Sequence, residues 1–122
     1  MAENFAQNIV CKIADCIFFS QLVNGDKWHL LTAIHAVGWA VAQRRQHSDI
    51  LSDWFMDNIE SIVNHDIAEA VRPIVSTMTA IADMSEQKKL TVETAAQKLL
   101  SAQSAFAQNI GNQFMQLYMS EF

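Results

Sequence analysis

The sequence predicts an all-α protein, one domain over residues 1–122 folded as a single bundle of about five helices. Three observations predict it. Apolar residues recur every three or four positions through most of the chain, the period of one helix face. Turn-makers are scarce, with three Gly and one Pro in 122 residues, too few for the many tight turns of a sandwich or barrel. Hydrophobic residues make up 51% of the chain, enough to bury a core of its own.

The first predicted segment runs from Glu3 to Val23, with Phe5, Ile9, Ile13, Cys16, Ile17 and Val23 on one side. Asn24-Gly25 suits a left-handed helix end, and Asp26 suits the cap of the next helix. Cys11 and Cys16 are separated by about 140° on a helix. They are therefore expected to neither bridge nor share a metal, and to behave as small buried hydrophobes.

The second segment, KWHLLTAIHAVGWAVAQ, carries no charge between Lys27 and Arg44. It is apolar almost all round, which predicts a largely buried central helix. Gly38 and Ala42, one turn apart, leave room for a neighbouring helix. The third segment, capped by Ser48 or Asp49, places Leu51, Trp54, Phe55, Ile59 and Ile62 on a core side. Asp49, Asp53, Asp57 and Glu60 fall on the opposite arc, where a solvated acidic face is expected.

The fourth segment opens with a capping box of Asp66 and Glu69. Its inner side reads Ile67, Val71, Ile74, Val75, Met78 and Ile81, with Pro73 on the polar side as a mild kink. DMSEQKKL reads as a flexible connection. Thr91 then caps a long last helix from Val92 to about Met119, with an inner stripe of Val92, Ala96, Leu99, Phe106, Ile110, Phe114 and Leu117. Two amides interrupt these stripes, Asn58 and Gln103, and each needs a hydrogen-bond partner if buried, since an unsatisfied one costs about 1–3 kcal/mol.

Several function classes find little support. The net charge is −5, and the pair Arg44-Arg45 is too short to form a basic stripe, so direct nucleic-acid binding is not expected. No run of about 18 apolar residues predicts a membrane span. The start, MAENFAQN, lacks the basic n-region of a secretory signal, and a cytoplasmic location is the expectation. No serine–histidine–acid spacing, phosphate loop or zinc pattern is visible. No cofactor is called for, and the metal-ligand spacings are poor: His29 and His35 diverge by about 120°, and His65 with Glu69 is a single pair.

The favoured reading is a non-enzymatic protein that works by protein–protein binding and self-associates through its C-terminal helix. From Leu99 to Ser120 there is no charge. The side opposite the core stripe presents Ala105, Gln108, Asn112, Met115 and Met119, with Phe122 just beyond, a poor composition for a solvated face and a fair one for a homo-oligomer interface. Two alternatives come from other classes. One is a small-molecule or cofactor-binding bundle around His35, Trp28 and Trp39, which share a side of the second segment. The other is an acidic inhibitor or nucleic-acid mimic using Asp49, Asp53, Asp57 and Glu60.

Overall fold

The computed structural model describes residues 25–45 and 48–119. Among them every regular element is helical: α1 (Lys27–Ala42), α2 (Ser48–Asp57), α3 (Ile59–Asn64), a 3-10 turn (Ala68–Ala70), α4 (Val71–Ala82), α5 (Glu86–Leu100) and α6 (Ala105–Met119). The fold is the all-α bundle expected. The segment from Glu3 to Val23, with Cys11 and Cys16, lies outside the described residues.

Asp26 caps α1 as the sequence suggests. Its carboxylate accepts from the His29 backbone N–H at 3.0 Å, and His29 Nδ1 accepts from the Asp26 N–H at 3.3 Å. Gly25 does not take the left-handed conformation expected of it; left-handed φ appears instead at Arg44 (53°), just past the end of α1, and at Asp66 (56°). The Arg45 N–H returns to the Ala40 carbonyl and the Arg44 N–H to Val41, the bond pair of a Schellman ending. Glycine usually occupies that position, but the Arg44 guanidinium donates to Val41 O at 3.0 Å and to Asp83 O at 3.1 Å. The side chain thereby ties the end of α1 to the end of α4.

The third predicted segment is two helices. α2 is already helical at Ser48, and the chain breaks at Asn58, whose Nδ2 donates to Trp54 O at 2.8 Å. The amide is satisfied within its own turn. Leu51, Trp54, Phe55, Ile59 and Ile62 are all buried, as the periodicity requires.

The Asp66–Glu69 capping box does not form. Asp66 has the wrong backbone conformation for a cap, because a capping residue is extended rather than left-handed. Glu69 instead pairs with Lys27 on α1. α4 begins at Val71, so Pro73 lies in its first turn, where no backbone N–H is needed, and it does not kink the middle of a helix.

The largest correction concerns the C-terminal third. DMSEQKKL is no flexible connection: Ser85 caps α5 by accepting from the Lys88 N–H at 3.2 Å, and the helix runs from Glu86. Thr91 lies inside it, its hydroxyl donating to Gln87 O at 3.1 Å. The single long helix expected from Val92 to Met119 is a hairpin of α5 and α6. An unbroken helix over that stretch would be about 42 Å long, more than the other helices could cover, whereas folding back buries Ala96 and Leu99 with Ala107, Ile110 and Phe114. Ser104 Oγ accepts from the Ala107 N–H at 3.3 Å, and Gln108 Nε2 donates to Ala102 O at 2.6 Å. Gln103 stands exposed in this turn, so it is no buried amide.

α4 is the centre of the bundle and packs against α1, α5 and α6. Ile74, Val75, Met78 and Ile81 are almost wholly buried there, together with Leu30, Ile34, Val37 and Val41 of α1 and Phe114 of α6. Gly38 of α1 lies close against Thr77 of α4: a Cβ on Gly38 would lie 2.6 Å from Thr77 Oγ1. Thr77 is buried and β-branched, and its hydroxyl donates to Pro73 O at 2.7 Å, so it has little freedom to move aside. Ala42, the other half of the expected close contact, is exposed.

Substitution Gly38→Ala sets two effects against each other. Helix propensity favours Ala by about 1 kcal/mol, while overpacking costs about 1–3 kcal/mol. A net loss of stability is expected by urea denaturation. Thr77→Ala should remove the clash, so the double variant should be more stable than the sum of the singles by about 1 kcal/mol. Strict additivity would show that α1 and α4 do not meet at this point.

Candidate functional site

Helix α1 buries one side only. Leu30, Leu31, Ala33, Ile34, Val37 and Val41 face the core. Trp28, His35 and Trp39, spaced seven and four residues apart, share the outer side, with Trp28 67% and Trp39 55% exposed. The expectation of a largely buried second helix is corrected to this extent. Each tryptophan carries a cation: Lys27 Nζ lies 5.0 Å from the Trp28 ring centroid, and the Arg45 guanidinium 4.8 Å from that of Trp39. Such cation–π contacts contribute roughly 0.5–1 kcal/mol at exposed sites. His35, Trp28 and Trp39 thus form an open aromatic stripe and enclose no cavity among the described residues.

Beside this stripe a broad groove crosses the outer side of α4. Its floor is Pro73, Ser76, Thr77 and Ala80; one wall is His35, Trp39 and Ala42 of α1, and the other is Asn109, Asn112, Gln113, Gln116 and Leu117 of α6. Leu117, expected in the core, is 63% exposed. The helix break at residues 101–104 resets the phase of the stripe, and Leu117 then falls to its edge. The groove measures about 1720 Å³, beyond the roughly 300–1,000 Å³ of small-ligand pockets.

The predicted C-terminal surface is only partly brought together. Ala105, Gln108 and Asn112 are exposed on α6, while Met115 is half-buried against the core. Gln108 is engaged in the hairpin turn. Met119 ends α6, and Phe122 lies outside the described residues. Asn109 and Gln116 were not singled out from the sequence, although their spacing from Asn112, three and four residues, puts all three on one stripe. Gln113 Nε2 donates to Asn109 Oδ1 at 3.2 Å, which continues the uncharged amide surface toward the groove.

Asp49, Asp53, Asp57 and Glu60 are all exposed on the outer side of α2 and α3. Asp53 accepts from Lys88 Nζ of α5 at 2.7 Å. Among the described residues no three His, Cys, Asp or Glu side chains are placed to hold a metal ion, and no helix is long and apolar enough to cross a membrane.

Among the described residues, two groups have displaced acidities. The Glu69 carboxyl is held below its ordinary value by the hydrogen bond from Lys27, with help from a backbone N–H. The Tyr118 phenol is raised, first by burial and then by Asp83, Glu93 and Glu86, against the opposing effect of Lys89. Its ring stacks on Phe114 with centroids 5.2 Å apart.

Comparison with protein-family models, with curated proteins and with solved structures finds no match.

The chain has one tyrosine, so phenolate absorbance reports Tyr118 alone. Its midpoint should lie above the ordinary value of about 10. With the folded value raised, the group's contribution to stability is fully present below the unfolded value and declines as pH rises past it. The Tyr118→Phe variant should lose less stability than the parent above that pH. A midpoint at or below the ordinary value would contradict the burial of the ring against Phe114.

Proposed function

We propose that the protein acts by binding other protein chains rather than by catalysis, and that it self-associates across the groove bounded by α1, α4 and α6. The observation that carries this reading is the pair of large apolar side chains on opposite walls, Trp39 and Leu117, both more than half exposed. Trp is the residue most often found as a binding hot spot, because it buries a large area with little loss of freedom.

The surface between the two is self-complementary. Asn109, Asn112, Gln113 and Gln116 carry both donors and acceptors, so one copy can satisfy another without the repulsion that a charged face meets. A twofold axis running along the groove sets Trp39 of each chain opposite Leu117 of its partner, the reciprocal arrangement of an isologous contact. Charges stay at the margin, with Glu69 and Arg72 toward one end of α4 and Asp83 at the other. The assembly uses α6 as one of three elements, where the sequence pointed to that helix alone.

Light scattering of the full chain at tens of micromolar should give the mass of a dimer. Trp39→Glu combined with Leu117→Glu should give a monomer of unchanged helicity. A monomeric parent, or a variant that stays dimeric, would exclude this surface as the self-association site.

A further inference from the structure

A second trough lies on another side of the bundle, between α2–α3 and α5. Met56, Ile59 and Val63 line one side and Leu90, Ala95 and Leu99 the other, with Ala107 of α6 below. Leu90 is 63% exposed on its lip. Nothing in the α5 hairpin requires an exposed leucine there: Val92, Ala96 and Leu99 already supply the buried side of that helix.

The charges around the trough are unequal. Residues 48–64 contain Asp49, Asp53, Asp57 and Glu60 and no Lys or Arg. Lys88 answers Asp53 near the start of α5. Asp57 and Glu60 line the trough itself and form no ion pair among the described residues. Lys98 is the one basic residue of the lining, at the end near Asn64.

We propose that this trough receives an amphipathic helix of a second protein, whose apolar face covers Leu90 and Met56 and whose basic edge meets Asp57 and Glu60. The lengths agree. The α5 lining runs from Gln87 to Lys98, twelve residues spanning about 16 Å, which is three turns of a docked helix. The chemistry agrees as well, since apolar anchors at helical spacing in a groove flanked by opposite charge are the ordinary form of helix-in-groove recognition. The volume, about 800 Å³, is within the range of small-molecule pockets. Such a pocket needs polar groups converging on an enclosed ligand, however, and here the polar residues stand in rows. The hydroxyls of Thr91 and Thr94 are also already bonded to the backbone of their own helix, at Gln87 O and Leu90 O.

The test uses the full chain and two synthetic helical peptides that share a leucine face, one with a lysine edge and one with a glutamate edge. Fluorescence anisotropy should show binding of the lysine-edged peptide only, weakening as salt is raised. Asp57→Asn with Glu60→Gln should reduce its affinity roughly three- to tenfold, the range of two partly exposed charge pairs, and Leu90→Ser should reduce it further. The variant with Trp39→Glu and Leu117→Glu should bind the peptide as the parent does, which separates this surface from self-association. Equal binding of both peptides, no binding of either, or indifference to the Asp57 and Glu60 substitutions would overturn the proposal. So would displacement of the peptide by a small apolar probe such as anilinonaphthalene sulfonate with no dependence on salt.

Discussion

The architecture depends on the contact between α1 and α4. The two helices run in parallel and are joined at three heights: Lys27 to Glu69 at their beginnings, Gly38 against Thr77 in the middle, and the Arg44 guanidinium on the Asp83 carbonyl at their ends. The middle contact sets the distance between the axes, and it exists because Gly38 has no Cβ. With that distance fixed, the rows Leu30–Ile34–Val37–Val41 and Ile74–Val75–Met78–Ile81 close on each other. α2 and α3 form the return connection, and their core side falls where the first pair leaves an open edge.

The same contact determines which surface is open. Because α4 is held centrally, with α1 on one flank and α6 on the other, its outer residues become the floor of a groove instead of a crest. The floor is small and weakly polar: Pro73, Ser76, Thr77 and Ala80. Larger side chains there would fill the groove and bring Trp39 and Leu117 to a common level. The α5–α6 hairpin is set by a second close approach, in which a Cβ on Gly111 would lie 3.0 Å from the Ala96 carbonyl. Hence α6 lies close on α5 and presents its amide stripe outward.

The division of charge follows from this layout. α6 has no ionisable side chain other than Tyr118, and the outer arc of α2–α3 is acidic. The basic residues are largely engaged: Lys27 with Glu69 and Trp28, Lys88 with Asp53, Arg44 at the end of α1, Arg45 on Trp39. A protein of net charge −5 that commits its cations in this way retains, among the described residues, one largely uncharged face and one acidic face.

The sequence by itself determined the helical class and most of the inward sides from α2 onward, because burial follows the 3.6-residue period and Leu51, Trp54, Phe55, Ile74, Met78, Ile110 and Phe114 obey it locally. It also determined the cap at Asp26 and the solvent-facing arc of Asp49, Asp53, Asp57 and Glu60. The errors came where a local signal had a competitor. Asp66 and Glu69 have capping-box spacing, but Glu69 has a cation on α1 within reach, and no local pattern records that. Ser85 and Ser104 precede the true helix starts. The pattern around Ser85 suggests a flexible connection with Thr91 as the cap that follows it; the helix that begins at Glu86 buries Val92, Ala96 and Leu99 against the hairpin's second arm. The apolar stripe from Val92 to Leu117 was continuous enough to conceal the break at Ser101–Ser104, since a helix and a helical hairpin share the same period and differ only in what lies alongside. For the same reason the candidate sites were half legible. The exposure of Trp39, Leu117 and Leu90, the groove floor on α4 and the placing of Asp57 and Glu60 beside an apolar trough belong to pairs of elements, and only the tertiary structure decides which elements are paired.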